Sequence, residues 1–140
     1  MPVKKKARKR KPARAGFRRG EAMLRKHALG YPEAYEEFPW GERVIKVNKK
    51  IFVFLHGDTQ TLRVTTKLPL SYGAALLAPF AKPTGYGLGK SGWVTASFSG
   101  NEQVPYDILL GWIDESYRAI APNKLVAGFS QRIPEKKPKK

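Results

Sequence analysis

Residues 85–98 read Gly85-Tyr-Gly-Leu-Gly-Lys-Ser-Gly-Trp93-Val-Thr-Ala-Ser-Phe98, and the two halves of this stretch predict different structures. The first half holds four glycines in eight residues, which is typical of a tight turn or of a phosphate-binding loop. The second half alternates between the side of Trp93 and the side of Val94, which predicts a strand. Whether the loop binds a nucleotide or only turns the chain distinguishes an enzyme from a binding module.

The order of elements around the loop argues against a nucleotide. A phosphate-binding glycine loop follows a strand and opens a helix, because the helix N-terminus holds the phosphate. Here a short helical pattern precedes the loop and a strand follows it. The P-loop pattern also requires glycine where this chain has Thr84, and the aspartate motifs of a kinase are absent. We therefore expect the glycines to turn the chain into the Trp93 strand, with Lys90 exposed at the tip.

Three further strands are predicted before this stretch. Residues 43–47 and 51–56 form a hairpin around the turn Asn48-Lys49-Lys50. The second of these strands is apolar on both faces, which predicts a central, covered strand. Residues 62–67 alternate strictly, so we expect Leu62, Val64 and Thr66 to pack and the other side to be wet and basic.

Four helices are predicted, at residues 21–29, 32–38, 71–77 and 104–121. Ser71 is the expected N-cap of the third. The fourth carries a long apolar stripe and an Asp114–Arg118 pair four residues apart. Because strands joined by tight turns pair antiparallel, the chain is predicted to be an α+β protein. We expect an antiparallel sheet of about four to five strands with helices packed on one face.

The formal net charge of +16 is unevenly distributed. Residues 1–19 hold ten Lys or Arg and no acid, and residues 131–140 hold five against one Glu. Residues 20–130 then hold twelve bases and ten acids, a net charge of +2. A segment of like charge with few large apolar side chains does not fold by itself. We therefore expect a disordered basic arm at 1–19, one domain at 20–130 and a basic C-terminal tail at 131–140.

Several classes of protein are disfavoured by the composition. The chain has no cysteine, and His27 and His56 lie in unrelated contexts, so no metal site, cofactor or catalytic constellation is predicted. We expect no enzyme activity. No apolar run approaches the roughly 18 residues of a membrane span. The expected location is the cytoplasm, with nucleoid association in a bacterium and nuclear import only in a eukaryote.

The basic arm predicts a nucleic-acid partner, because such a run neutralises phosphates and releases their counterions. The basic face of residues 62–67, with Trp93 beside it as an aromatic platform, would orient that partner. An ordinary solvated sheet face explains those residues equally well. The candidate nucleic-acid-binding residues are Lys4, Lys5, Lys6, Arg8, Lys9, Arg10, Lys11, Arg43, Lys46, Lys49, Lys50, Arg63, Lys67, Lys90 and Trp93.

A second hypothesis is a protein-interaction or small-ligand-binding module with solubilising basic tails. The domain is nearly neutral, and its aromatic residues are compatible with a pocket between the glycine loop and the sheet. These aromatic residues are Trp40, Trp93, Trp112 and Tyr86.

Five motifs, in this order and spacing, resemble the MmcQ/YjbR family. They are Tyr35-Glu-Glu-Phe-Pro-Trp-Gly-Glu42, Lys49-Lys-Ile-Phe-Val53, residues 62–67, residues 85–93 and Ser116-Tyr117. The resemblance covers about residues 20–128, and the two basic tails lie outside it. That family is similar in fold to the "double wing" DNA-binding domain of the phage transcription activator MotA. The resemblance thus implies a double-wing α+β domain and favours DNA over RNA as the partner.

Overall fold

The computed structural model describes residues 17–128. In chain order the elements are helix α1 (residues 17–29), strands β1 (Tyr35–Glu37), β2 (Arg43–Val47), β3 (Lys50–Gly57) and β4 (Thr61–Lys67), helix α2 (Tyr72–Ala75), strands β5 (Ala81–Pro83) and β6 (Trp93–Ser99), helix α3 (Tyr106–Ile120) and helix α4 (residues 123–128). Two 3-10 turns lie at Pro39–Gly41 and Leu88–Ser91.

The start of α1 corrects one predicted boundary. Residues 17–19 were expected in the disordered arm, but they form the first described turn of α1, and Phe17 is buried. The apolar Phe17 side chain gives this turn a place in the core. Residues 1–16 and 129–140 lie outside the described residues, so what was predicted for the arm from Lys4 to Lys11 and for the C-terminal tail stays a prediction.

The sheet has six antiparallel strands in the order β1-β2-β3-β4-β6-β5. The predicted α+β class is confirmed, with more strands than the four to five expected. The two additional strands are β1 and β5, each three residues long. Strand β1 replaces the helix predicted at 32–38, since its pairing with β2 outweighs a weak local helical pattern.

Helices α1 and α3 pack on one face of the sheet, as predicted. Leu24 of α1 and Leu109 and Ile113 of α3 are fully buried in one cluster with Val53 and Val64 of the sheet. Helix α3 agrees with the prediction to within two residues at each end. Burying this apolar stripe is the main source of stability that the fold offers.

A β-bulge at Phe52 joins the sheet to α3. Ile45 pairs with Val53 while Lys46 pairs with Ile51, so Phe52 is the extra residue. Its side chain enters the core, where its ring lies 5.2 Å from that of Tyr117. The Ser116 hydroxyl donates to the Phe52 carbonyl at 2.6 Å. The bulge explains why consecutive residues of β3 are apolar, and it corrects the prediction that β3 is covered on both faces: helices cover only one.

Two local features are shorter in the structure than the sequence predicted. The β2–β3 hairpin turns on two residues rather than three, with Asn48 at φ 51° and Lys49 at φ 68°, which is type I′ geometry. Helix α2 is four residues long, and Ser71 occupies its N-cap position as predicted, but the Ser71 side chain makes no capping hydrogen bond. The Ser71 hydroxyl instead donates to Glu115 at 2.7 Å, a contact across 44 residues of chain.

Candidate nucleic-acid interface

The sheet face opposite α1 and α3 is called the open face below. No helix of residues 17–128 covers it. Strands β4 and β6 present the residues predicted to point there, while Val64 and Val94 are buried on the helix side. Strand register places on the open face the side chains of Tyr35, Glu37, Val44, Lys46, Ile51, Phe54, His56, Thr61, Arg63, Thr65, Lys67, Lys82, Trp93, Thr95, Ser97 and Ser99.

Two aromatic rings occupy the middle of the open face. Phe54 and Trp93 meet edge to face, with ring centroids 5.7 Å apart. Beside them the hydroxyl oxygens of Thr65 and Thr95 lie 2.8 Å apart. Thr65 was predicted to be wet, but it is 8% exposed, because it pairs across the strands with both Phe54 and Thr95. The centre of the open face is therefore apolar and ordered.

Positive charge surrounds this aromatic centre. Arg63 and Lys82 are exposed and Lys67 is half-exposed. Among the described residues, none of the three forms an ion pair with a carboxylate. Lys46 differs, since its ammonium lies 3.0 Å from Glu37. Three of the open-face cations therefore keep their full field for a partner.

A fixed negative charge bounds the face at the β3–β4 turn. Asp58 accepts hydrogen bonds from the backbone amides of Thr61 and Gln60, which lower the pKa of its carboxyl to about 2. His56 lies 3.0 Å from the same carboxylate. Asp58 is thus ionised at all physiological pH values, and it places one negative charge at this end of the face, beside Thr61.

Arg43 was predicted as a nucleic-acid contact, and the structure places it on the helix side of the sheet. Its guanidinium bonds Glu36, and it lies 3.2 Å from Glu21 of α1. Arg25 binds the other oxygen of Glu36 at 2.7 Å and lowers the pKa of that carboxyl. The alternation of β2 points Arg43 toward the helices, so its charge is already engaged within the fold.

The remaining predicted cations of residues 17–128 lie at one end of the sheet. Lys49 and Lys50 are exposed at the β2–β3 hairpin, and Lys90 is exposed in the 3-10 turn before β6. That turn begins and ends with glycines in the left-handed region, Gly87 at φ 80° and Gly92 at φ 92°. The prediction that the glycines turn the chain into β6 with Lys90 at the tip is confirmed.

Sequence reasoning missed Phe54 and Lys82. Phe54 stood in an unbroken apolar run, and only the bulge reveals which face it occupies. Lys82 belongs to a strand of three residues, which is too short for alternation to be recognised. A lysine before a proline in a loop-like segment carries no signal that β5 exists.

The aromatic pocket of the second hypothesis is not assembled. Trp112 is buried in the core under α3. Trp40 is 91% exposed in the β1–β2 turn, while Tyr86 is exposed at the opposite end of the sheet, in the glycine loop. These side chains therefore do not line a common cavity with Trp93.

A polar chain crosses between the helices on the packed side. Tyr31 donates to Asp114 at 3.0 Å and lies 3.1 Å from the His27 ring nitrogen, and Asp114 binds Arg118 at 2.7 Å, the pair that was predicted. Burial lowers the pKa of His27 below its ordinary value, with Asp114 partly opposing it. Burial and the nearby Asp114 raise the pKa of Tyr31. This chain of hydrogen bonds therefore ties α1 to α3.

Residues 17–128 contain neither a candidate membrane-spanning helix nor a candidate metal-binding cluster. None of the helices there has the length and apolar character needed to cross a bilayer. Within the same residues, no three His, Cys, Asp or Glu side chains are grouped so as to hold a metal ion.

Comparison with known proteins gives one family. The model of the YjbR family matches residues 29–119, which begin at the end of α1, include all six strands and end in the last turn of α3. A search of the curated proteins finds no match to the chain. The matched segment covers well over half of the chain and nearly the whole of the described fold, so the chain belongs to the YjbR family.

Proposed function

We propose that this protein is a non-enzymatic nucleic-acid-binding protein that holds DNA against the open face of its sheet. The observation that carries the proposal is the group of three cations, Arg63, Lys67 and Lys82, placed around the Phe54–Trp93 pair with no carboxylate partner among the described residues. The basic arm and the C-terminal tail add phosphate contacts to this face. The expected compartment is the cytoplasm, with nucleoid association in a bacterium.

The chemistry of the open face suits a polyanion with flat groups. Exposed Arg and Lys side chains bind phosphates and fix the register of the partner. Exposed aromatic rings offer a surface on which bases stack without regard to sequence. Lys49, Lys50 and Lys90 extend the positive field beyond one end of the sheet. A long anion can therefore run from the hairpin tips across the aromatic centre to Arg63 and Lys82.

We propose DNA and not RNA as the partner because of the family to which the chain belongs, and not because of any residue on the open face. Membership of the YjbR family supports this preference, because the family resembles the double-wing DNA-binding domain in fold. The sheet itself does not contain a feature that reads a 2′-hydroxyl specifically. The competition of duplex DNA with duplex RNA of the same sequence tests this part of the proposal.

The decisive experiment is a salt titration with a random-sequence duplex. The full chain, a chain without residues 1–16 and a triple variant R63A/K67A/K82A would be compared. If the three face cations contact phosphates, their removal lowers the slope of log affinity against log salt by about 3. Removal of residues 1–16 takes away eight bases, the seven from Lys4 to Lys11 and Arg14, and lowers the slope by about 7 if all of them engage the duplex.

Each outcome has a distinct meaning. A slope reduced by both changes supports contacts from face and arm together. A triple variant that binds like the wild type would assign all binding to the tails and remove the open face from the proposal. Failure of the full chain to bind any duplex at low salt would refute the proposal as a whole.

The β1–β2 turn favours protein interaction as a second candidate function. Trp40 is 91% exposed and its neighbour Phe38 is 54% exposed. Trp40 also has φ 55°, in the left-handed region that bulky residues rarely adopt. A partner that covers these two rings would explain why they are displayed. A W40A variant that keeps full DNA affinity but loses a copurifying protein would favour this candidate.

A further inference from the structure

An open groove of ≈ 610 Å³ lies at the edge of the sheet where β5 separates from β6. Strand β5 pairs with β6 only from Val94 to Ala96, whereas β4 pairs with it as far as Ser99. The last residues of β6 therefore border a notch instead of a neighbouring strand. The groove falls within the roughly 300–1,000 Å³ of pockets that bind small molecules.

One wall of the groove is apolar and held firmly in place. Phe80 lines it, with its ring centroid 5.1 Å from that of Phe98 and 5.9 Å from that of Trp112. Trp112 belongs to α3, so the core of the protein supports this wall from behind. Binding of a flat ligand against Phe80 would cost little side-chain entropy, because the side chains of this wall are already held in place.

The groove is lined by two cations and one carboxylate. Arg63 and Lys82 both line it and are exposed, and neither pairs with a carboxylate in residues 17–128. Glu102 also lines the groove, but its Oε1 accepts a hydrogen bond from the Ser99 amide at 2.7 Å. Ser97 and Gln103 add neutral hydrogen-bonding groups. The groove thus combines an apolar wall, two cations that no carboxylate of residues 17–128 pairs with, the Glu102 carboxylate, and uncharged donors and acceptors.

A second groove leads from this one toward the start of the described fold. It measures ≈ 440 Å³, shares Glu102 and Gln103 with the first, and reaches Phe17. The basic arm is joined to the domain immediately before Phe17. A nucleic-acid strand that enters the first groove would therefore pass the point where the arm begins.

We infer that the β5–β6 groove binds one unpaired nucleotide of a DNA strand that lies on the open face. The base would lie against Phe80, Arg63 and Lys82 would bind the flanking phosphates, and Gln103 or Ser97 would meet the base edge. A base of a fully paired duplex does not enter the groove, because it is stacked between its neighbours and paired with the opposite strand. This inference rests on the proposed function, since the strand must first lie on the open face.

The test compares two fluorescent duplexes that differ by a single unpaired thymidine in one strand. The bulged thymidine is already unpaired, so less free energy is needed to move it into the groove. The full chain should therefore bind the bulged duplex about tenfold more tightly than the paired one. Two variants address the groove: K82A removes a rim cation, and S97F fills the groove from an exposed strand position. K50A is the matched control, since it removes an exposed cation at the hairpin end of the sheet.

The ratio of the two affinities is the readout. In K82A and S97F the tenfold preference should fall to about twofold or less, while K50A should weaken both duplexes equally and leave the ratio unchanged. Equal binding of the two duplexes by the full chain would overturn the groove inference and leave the proposed function standing. If both groove variants still prefer the bulged duplex, the unpaired nucleotide does not bind in the β5–β6 groove. No binding of either duplex would refute the proposed function first.

Discussion

Two arginines on neighbouring parts of the same sheet show how different its two faces are. Arg43 on the packed side touches Glu21 and Glu36, which are in turn held by α1 and by Arg25. Arg63 on the open side is exposed, and no carboxylate of the described residues reaches it. The same side chain therefore stabilises the fold in one place and is available to a partner in the other.

The comparison teaches that net charge alone is a poor guide to a binding surface. Residues 20–130 carry a net charge of only +2, from twelve bases and ten acids. The carboxylates are unevenly distributed between the two faces, since Glu21, Glu36 and Asp114 form ion pairs on the helix side. A nearly neutral domain can thus still present a positive face.

The largest contrast is expected between two phenylalanines of β3. Phe52 is fully buried, so F52A should lower the free energy of unfolding by about 4 kcal/mol through the cavity it leaves. Phe54 is half-exposed on the open face, so F54A should cost about 1 kcal/mol. Urea unfolding of the two variants gives both numbers.

DNA affinity completes this test. F54A should bind duplex more weakly, because it removes half of the aromatic centre, whereas any folded F52A should bind normally. Equal losses of stability in the two variants would show that the open face is packed like the other. That result would contradict the division on which the proposed function stands.

The same comparison with arginine is expected to be smaller. R43A should lower the free energy of unfolding by about 2 kcal/mol, because it leaves Glu21 unpaired and Glu36 with Arg25 alone. R63A should change it by less than about 0.5 kcal/mol and should weaken DNA binding instead. Thermal unfolding and fluorescence anisotropy measure the two effects. If R43A weakens DNA binding at unchanged stability, Arg43 is a contact residue after all.

A still smaller effect is predicted at the β2–β3 hairpin, where the two faces are joined. Lys49 has φ 68°, a conformation that favours glycine, so K49G should raise the free energy of unfolding by about 1 kcal/mol. K50G is the control, because Lys50 lies in the strand and glycine there should destabilise by about 0.5–1 kcal/mol. A destabilised K49G would mean that the lysine side chain itself matters at the turn.

The weakest effect is a pH dependence of the packed side. Burial holds the pKa of His27 below its unfolded value of about 6.5. Between the two pKa values the unfolded chain binds more protons, so stability should fall as pH drops from about 7 through the lowered pKa of His27. Asp58, with its pKa of about 2, stays ionised throughout this range.

The variant H27Q isolates this contribution. Its stability should change less with pH across that range than that of the wild type, as measured by urea unfolding at each pH. The DNA affinity of both proteins, measured where they are fully folded, should not differ, since His27 lies on the helix side. A pH profile identical to that of the wild type would assign the dependence to another group.

Much of this fold follows from local patterns in the chain. The alternation of residues 62–67 and 93–98 defines two opposite faces, because successive side chains of a strand point to opposite sides. The apolar stripe of α3 and the glycines before Trp93 were also read correctly, since each reflects the geometry of a single element. The family resemblance was confirmed in the same way, from motifs within the chain.

Other features depend on contacts between separate elements of the fold. Strands β1 and β5 exist because β2 and β6 offer them pairing edges, and the local pattern of residues 32–38 favours a helix instead. The bulge at Phe52 depends on the pairing of β2 with β3 and is accompanied by the Ser116 hydrogen bond, 64 residues away. The periodicity of a single element does not reveal these contacts, because each of them joins two elements.

The availability of charge shows the same division. Sequence alone established that the arm is basic, that the domain is nearly neutral and that one face of β4 carries Arg63 and Lys67. The folded structure determined that Arg43 is neutralised, that Lys82 joins the open face and that Phe54 stands at its centre. The physical reason is that periodicity is a property of one element, whereas neutralisation and exposure depend on what other elements bring within a few ångströms.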